Sequence, residues 1–87
     1  MTTWTVKDFV DTVLSQIGAP ITKNNETNFE HWMAAEEPPS SWSSTNDPLN
    51  TSYSSAKDPQ VAKFTYASLA QGADATANTA TYTTSAR

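Results

Sequence analysis

The segment TVKDFVDTVLSQI, residues 5–17, constrains the fold most. Val6, Phe9, Val10, Val13, Leu14 and Ile17 recur at the i, i+3, i+4, i+7 spacing of one helical face. Thr5 followed by Asp8 resembles a capping box with Asp in place of Glu. Asp8 and Asp11 stand near the positive end of the helix dipole. Gly18 suits the position just past the last turn, and Pro20 prevents continuation. An amphipathic helix of this length draws its stability from packing, so the rest of the chain must cover its apolar face. Without cysteine, no disulfide can help.

The spacing predicts a second helix starting between Thr22 and Asn25 and running to about Glu36, with Asn24 or Asn25 as cap. Its apolar face is Phe29, Trp32 and Met33, with Ala35 nearby, and it must stop before Pro38. The short GAPITK connection makes the two helices an antiparallel or crossed pair. Residues 38–60 carry the turn signals PP, NDP and KDP. That is a long loop for a small domain, and Trp42, Leu49 and Tyr53 suggest that it folds back onto the core. Residues 61–66, VAKFTY, are extended at best. The Ser68–Gln71 capping pattern then opens a third helix with Leu69, Ala73, Thr76, Ala77 and Ala80 on one small-residue face, ending near Ala80 or fraying.

The expected fold is therefore mainly α. It is one domain spanning 1–87, with about three helices, a long loop between helices 2 and 3, and at most a short extended segment near 61–66. The expected core is Phe9, Val10, Val13, Leu14, Ile17, Phe29, Trp32, Met33, Leu49, Phe64, Leu69 and Ala73.

Charge and composition narrow the function. A formal charge of −4 and a pI near 4.6 argue against nucleic acid as the main partner. The short apolar runs argue against a membrane span. The N-terminus MTTWTVKDF shows no secretory signal pattern. With no cysteine and a single histidine, His31, neither a metal centre nor a cofactor is expected.

Glu36 is the candidate for chemistry. It continues the helical stripe of Phe29, Trp32 and Met33, where an apolar residue is expected. A carboxyl pressed against a tryptophan in a partly dry setting holds its proton more tightly. Such an acid can protonate the leaving oxygen of a glycosidic bond. The plain alternative is a carboxylate at the rim of the core, pointing into water, and Glu37, on the next face round, reads as solvated. Trp42, in a Ser-rich loop, is the best candidate for stacking on a sugar ring, whereas Trp32 reads as core. Asp47 and Asp58 precede prolines and read as turn residues, and Asp74 as solvated. His31 reads as a rim residue and Ser68 as a helix cap.

Four ordered segments, FVDTVLSQIGAPITKNN, FEHWMAAEE, NDPLNT and FTYASLAQGADATANTA, together resemble the small lysozyme-like domains of actinobacterial phages. Their order is also similar to that of bacterial glucosaminidase and transglycosylase domains. The resemblance implies a glycoside hydrolase or lytic transglycosylase acting on peptidoglycan, located in a phage virion or at the host cell envelope. It implies Glu36 as general acid. Asn46 and Asn50 would shape the loop or hold sugar amide groups, and Tyr66 would line the groove. The chain departs from the family pattern at Glu37, which replaces a Gly, at Pro38 and Pro39, and at the inserted Asp47. The family continues past the equivalent of Arg87 with a last helix, so the 87 residues read as a domain lacking it. The opposing class is a non-catalytic tail or capsid component, whose exposed apolar residues would contact other virion proteins.

Overall fold

A computed structural model describes residues 4–85 of the protein. Helix α1 (Val6–Gln16) and helix α2 (Lys23–Glu36) form the expected pair. A 3-10 turn (Pro39–Ser41) and a short helix α3 (Trp42–Thr45) occupy the start of the long loop. Strands β1 (Gln60–Ala62) and β2 (Thr65–Tyr66) form an antiparallel hairpin, with Gln60 opposite Tyr66 and Ala62 opposite Thr65. Helix α4 (Leu69–Ser85) closes the described chain. The protein is mainly helical with one small sheet, and the loop carries more regular structure than its composition suggested.

Both first helices start as their sequences dictate. The Asp8 N–H donates to Thr5 Oγ1 at 3.0 Å, and the Asn25 N–H donates to Thr22 Oγ1 at 3.1 Å. Thr22 is thus the cap of α2. Asn25, one of the expected caps, instead uses its side-chain amide to bond the Pro20 carbonyl at 2.8 Å. Gly18 takes φ +77°, the left-handed conformation that ends α1. Helix α4 runs past Ala80, where the sequence suggested an end. The side chain of Ala80 and the terminus at Arg87 lie outside the described residues.

The apolar stripe of α1 packs chiefly on α4 and also on α2. Phe9, Val10, Val13 and Leu14 meet Phe29 and Met33 of α2, Trp42 of α3, and Ala73 and Ala77 of α4. The alanine face of α4 lets α1 approach closely. Trp4, Leu49 and Leu69 pack on the edge of this cluster.

Two expected core residues lie at the surface. Ile17 falls past the end of α1 and is exposed. Trp32 is 49 % exposed, its ring edge against Phe29 at 5.5 Å. The cause is geometric: Phe29 and Met33, one turn apart, point at α1, and Trp32 lies about 100° round the helix from Met33. Phe64 is only half-buried, held at φ +52° in the hairpin turn.

Candidate functional site

The end of α2 and the NDPLNT loop meet in space, although ten or more residues separate them. Glu36 is the last residue of α2, and its side chain is exposed. It is not pressed dry against Trp32, because both residues stand on the water side of α2. They remain neighbours one turn apart. The backbone beneath them is tied down. Asn50 Nδ2 donates to the Glu36 carbonyl at 2.7 Å, and the Trp42 indole N–H donates to the Glu37 carbonyl at 3.0 Å.

Trp42 is buried, 6 % exposed, and serves the core rather than an open surface. The two tryptophans thus occupy opposite settings from those their neighbourhoods suggested. Asn46 ends α3 at φ +56°, a left-handed conformation that Asn tolerates. Its side-chain amide donates to the Tyr66 carbonyl at 2.8 Å. Asn50 also sits at positive φ. Both asparagines therefore spend an amide donor on shaping the loop.

Tyr66 is buried beneath the loop. Its hydroxyl donates to the Tyr53 carbonyl and accepts from Gln60 Nε2 at 3.1 Å. Burial, with the charges of Asp47 and Asp58 nearby, pushes that hydroxyl above its ordinary range. Gln60 Nε2 also bonds the Thr51 carbonyl at 2.7 Å, and the hydroxyls of Thr51 and Thr79 lie 2.8 Å apart. The loop is thereby pinned to α2, to the hairpin and to α4.

Two carboxyls expected to make simple turns are fully enclosed. Asp47 accepts the Thr51 N–H on Oδ1 at 2.9 Å, while its Oδ2 is buried with no hydrogen-bond partner. Burial pushes Asp47 up to about 7; the Thr51 N–H opposes this and the Glu37 charge reinforces it. Asp58 is pushed up to about 6 by burial and by its neighbour Asp74. Asp74 is not simply solvated: its bond with Asp58 and the Lys57 ammonium, at 3.4 Å, hold it below the ordinary range. Glu37, read as solvated, is half-buried. Its Oε1 accepts from Ser41 Oγ at 2.8 Å, and its Oε2 is buried without a partner.

A cleft of about 290 Å³ lies elsewhere, between α1 and the first turns of α2, lined by Lys7, Val10, Lys23, Glu26, Thr27 and Glu30. Glu36 is about 9 Å further along the helix axis than Glu30. Lys7 bridges Asp11 and Glu26 there, each at 2.9 Å. Among the described residues, no group of three or more His, Asp or Glu is placed to hold a metal ion, and no helix is long and apolar enough to cross a membrane.

The exposed ring of Trp32 and the buried carboxylate oxygens of Glu37 and Asp47 were missed from the sequence. The spacing of Trp32 one turn before Glu36 was the available signal for the first. Compared with protein-family models, curated proteins and solved structures, the chain matches none.

Proposed function

We propose that this chain is a phage lysozyme-like protein directed at peptidoglycan, with Glu36 as the acid that meets the glycan. The observation that carries this reading is the pairing, on one face of α2, of the exposed Trp32 ring with the Glu36 carboxyl, over a backbone held by Asn50 and Trp42. An exposed indole offers a stacking surface for a sugar ring. A sugar seated on Trp32 would bring a glycosidic oxygen to the carboxyl one turn away, where Glu36 would serve as the proton donor. That proton would pass to the leaving glycosidic oxygen as the sugar gains oxocarbenium character. As that bond breaks, the anomeric carbon would be captured either by water directly or by the substrate's own acetamido oxygen, in a cyclic intermediate that water then opens. Asn46, Asn50 and Tyr66 support the loop that borders this face, and Trp42 supports it from below.

A second reading is favoured by the open setting of Glu36 and by the exposed side chains of Ile17, Ile21, Trp32 and Val61. In it, the chain is a non-catalytic virion component whose apolar surface meets other phage proteins. A fold by itself does not define a chemistry. Turbidity of an actinobacterial cell-wall suspension separates the two. Clearing by the wild type and not by Glu36→Gln supports the hydrolase. No clearing by a folded wild type leaves the assembly reading.

A further inference from the structure

The cleft between α1 and α2 carries charges that the fold does not use. Its lining is Lys7, Val10, Lys23, Glu26, Thr27 and Glu30. Lys7 and Glu26 belong to the scaffold, because the Lys7 ammonium bridges Glu26 and Asp11, each at 2.9 Å. Lys23 and Glu30 enter no ion pair among the described residues. They are poorly placed to serve each other, since side chains that meet on a helix stand three or four residues apart and these stand two turns apart. The acid one turn from Lys23, Glu26, is already held by Lys7.

Lys23 and Glu30 share one stripe of α2, about 10 Å apart along the axis, with Thr27 between them. Val10, 1 % exposed, supplies an apolar wall from α1. The cleft thus offers an ammonium at one end, a carboxylate at the other, a hydroxyl between them and an aliphatic wall. Its volume of about 290 Å³ lies at the small end for ligand sites. A single amino acid holds its two charges too close together to meet both ends. Two extended residues span about 7 Å, and a hydrogen bond to a flexible side chain at each end covers the rest.

We propose that this cleft binds a short zwitterionic peptide, two residues long with both termini free, its carboxylate on Lys23 and its ammonium on Glu30. The carboxylate then also lies at the first turn of α2, where the helix dipole favours a negative charge. The Thr27 hydroxyl bonds the central peptide group, and a small apolar side chain rests on Val10. Trp32 is about 200° round α2 from Glu30, so the cleft and the Trp32–Glu36 face are separate surfaces. The inference stands whether or not the protein cleaves glycan.

Backbone-amide NMR of the wild type, titrated with alanyl-alanine, tests this. Saturable shifts should gather at Val10, Lys23, Thr27 and Glu30, and Trp32 and Glu36 should stay in place. N-acetyl-alanyl-alanine lacks the ammonium, and alanyl-alanine amide lacks the carboxylate. Each should bind about fivefold more weakly, the scale of one partly exposed ion pair. Glu30→Gln should weaken alanyl-alanine by a similar factor while leaving the N-acetylated form unchanged, and Lys23→Gln should do the same with respect to the amide. The absence of saturable shifts would overturn the proposal. So would equal affinity for blocked and unblocked dipeptides, or shifts centred outside the cleft. These readouts on the wild type decide the matter even if a variant fails to fold.

Discussion

Replacing Gly72 by alanine sets two physical effects of opposite sign against each other. Gly72 lies in the first turn of α4, where it packs on the backbone of Asn46. A Cβ added there would lie 1.8 Å from the Asn46 carbonyl oxygen, 2.9 Å from its carbon and 3.2 Å from its Cβ. Ordinary contact begins at 3.4 Å, so the loop or the helix must retreat by about 1.6 Å, the difference between 3.4 and 1.8. The obstacle is backbone rather than a flexible side-chain tip. Asn46 is held there by its left-handed φ and by its bond to the Tyr66 carbonyl. Overpacking of this kind costs about 3 kcal/mol, the upper part of its usual range. Helix propensity acts the other way, since Ala is better than Gly by about 1 kcal/mol. The expected net loss is about 2 kcal/mol, or roughly 10 °C in Tm for a domain of this size. Thermal and urea unfolding measure it. Ala70→Gly, in the same turn but exposed, isolates the propensity effect and should cost about 1 kcal/mol. A Gly72→Ala protein that melts at or above wild type would show that propensity wins and that the loop does not rest on α4 as described.

Acid should stabilise the fold in the window set by Asp47. Its carboxyl is pushed up to about 7 when folded, against 3.8 for an ordinary Asp, so the folded state holds the proton more tightly than the unfolded state. That stability is fully present below about pH 4 and is lost as pH rises to about 7, with an upper bound of about 4 kcal/mol. Urea midpoints measured across this range should fall with rising pH and flatten in Asp47→Asn; a rising midpoint would contradict the buried setting of Asp47. Trp42 and Trp32 should differ sharply. Trp42→Ala removes a buried ring and an indole hydrogen bond and should cost about 3–5 kcal/mol in chemical unfolding. Trp32→Ala should cost less than about 1 kcal/mol, because half of that side chain already faces water.

The helices were legible because their signals are local. Helix α1 announces itself through its stripe, its Thr5 cap and Gly18, and each behaves as the spacing requires except Ile17, which falls past the helix end. The start of α4 follows from Ser68, whose Oγ accepts the Gln71 N–H at 3.2 Å. What local pattern could not reveal depends on which way a helix turns its second aromatic residue. Phe29 and Met33 define the buried line of α2, and Trp32 looked equivalent in sequence although it falls outside that line. Trp42 looked polar because its neighbours are serines, yet α3 turns its ring inward. The acids were the least legible. Asp-Pro correctly signals a turn, but the loop around Asp47 is held by distant parts of the chain, Asn46 against Gly72 of α4 and Tyr66 of β2, and Asn50 against Glu36 of α2. The asparagines of NDPLNT could be picked out as special, and their bonds to Tyr66 and Glu36 give the physical reason.

The most direct test of the central proposal is release of soluble glycan fragments from purified actinobacterial peptidoglycan. Wild type and Glu36→Gln should be compared at equal concentration, each shown to be folded by its melting curve. Fragments are expected from the wild type, with a loss of about a hundredfold or more in Glu36→Gln, the scale of a removed general acid. Equal release by both proteins, or none from a folded wild type, would contradict the assignment of Glu36 as the acid.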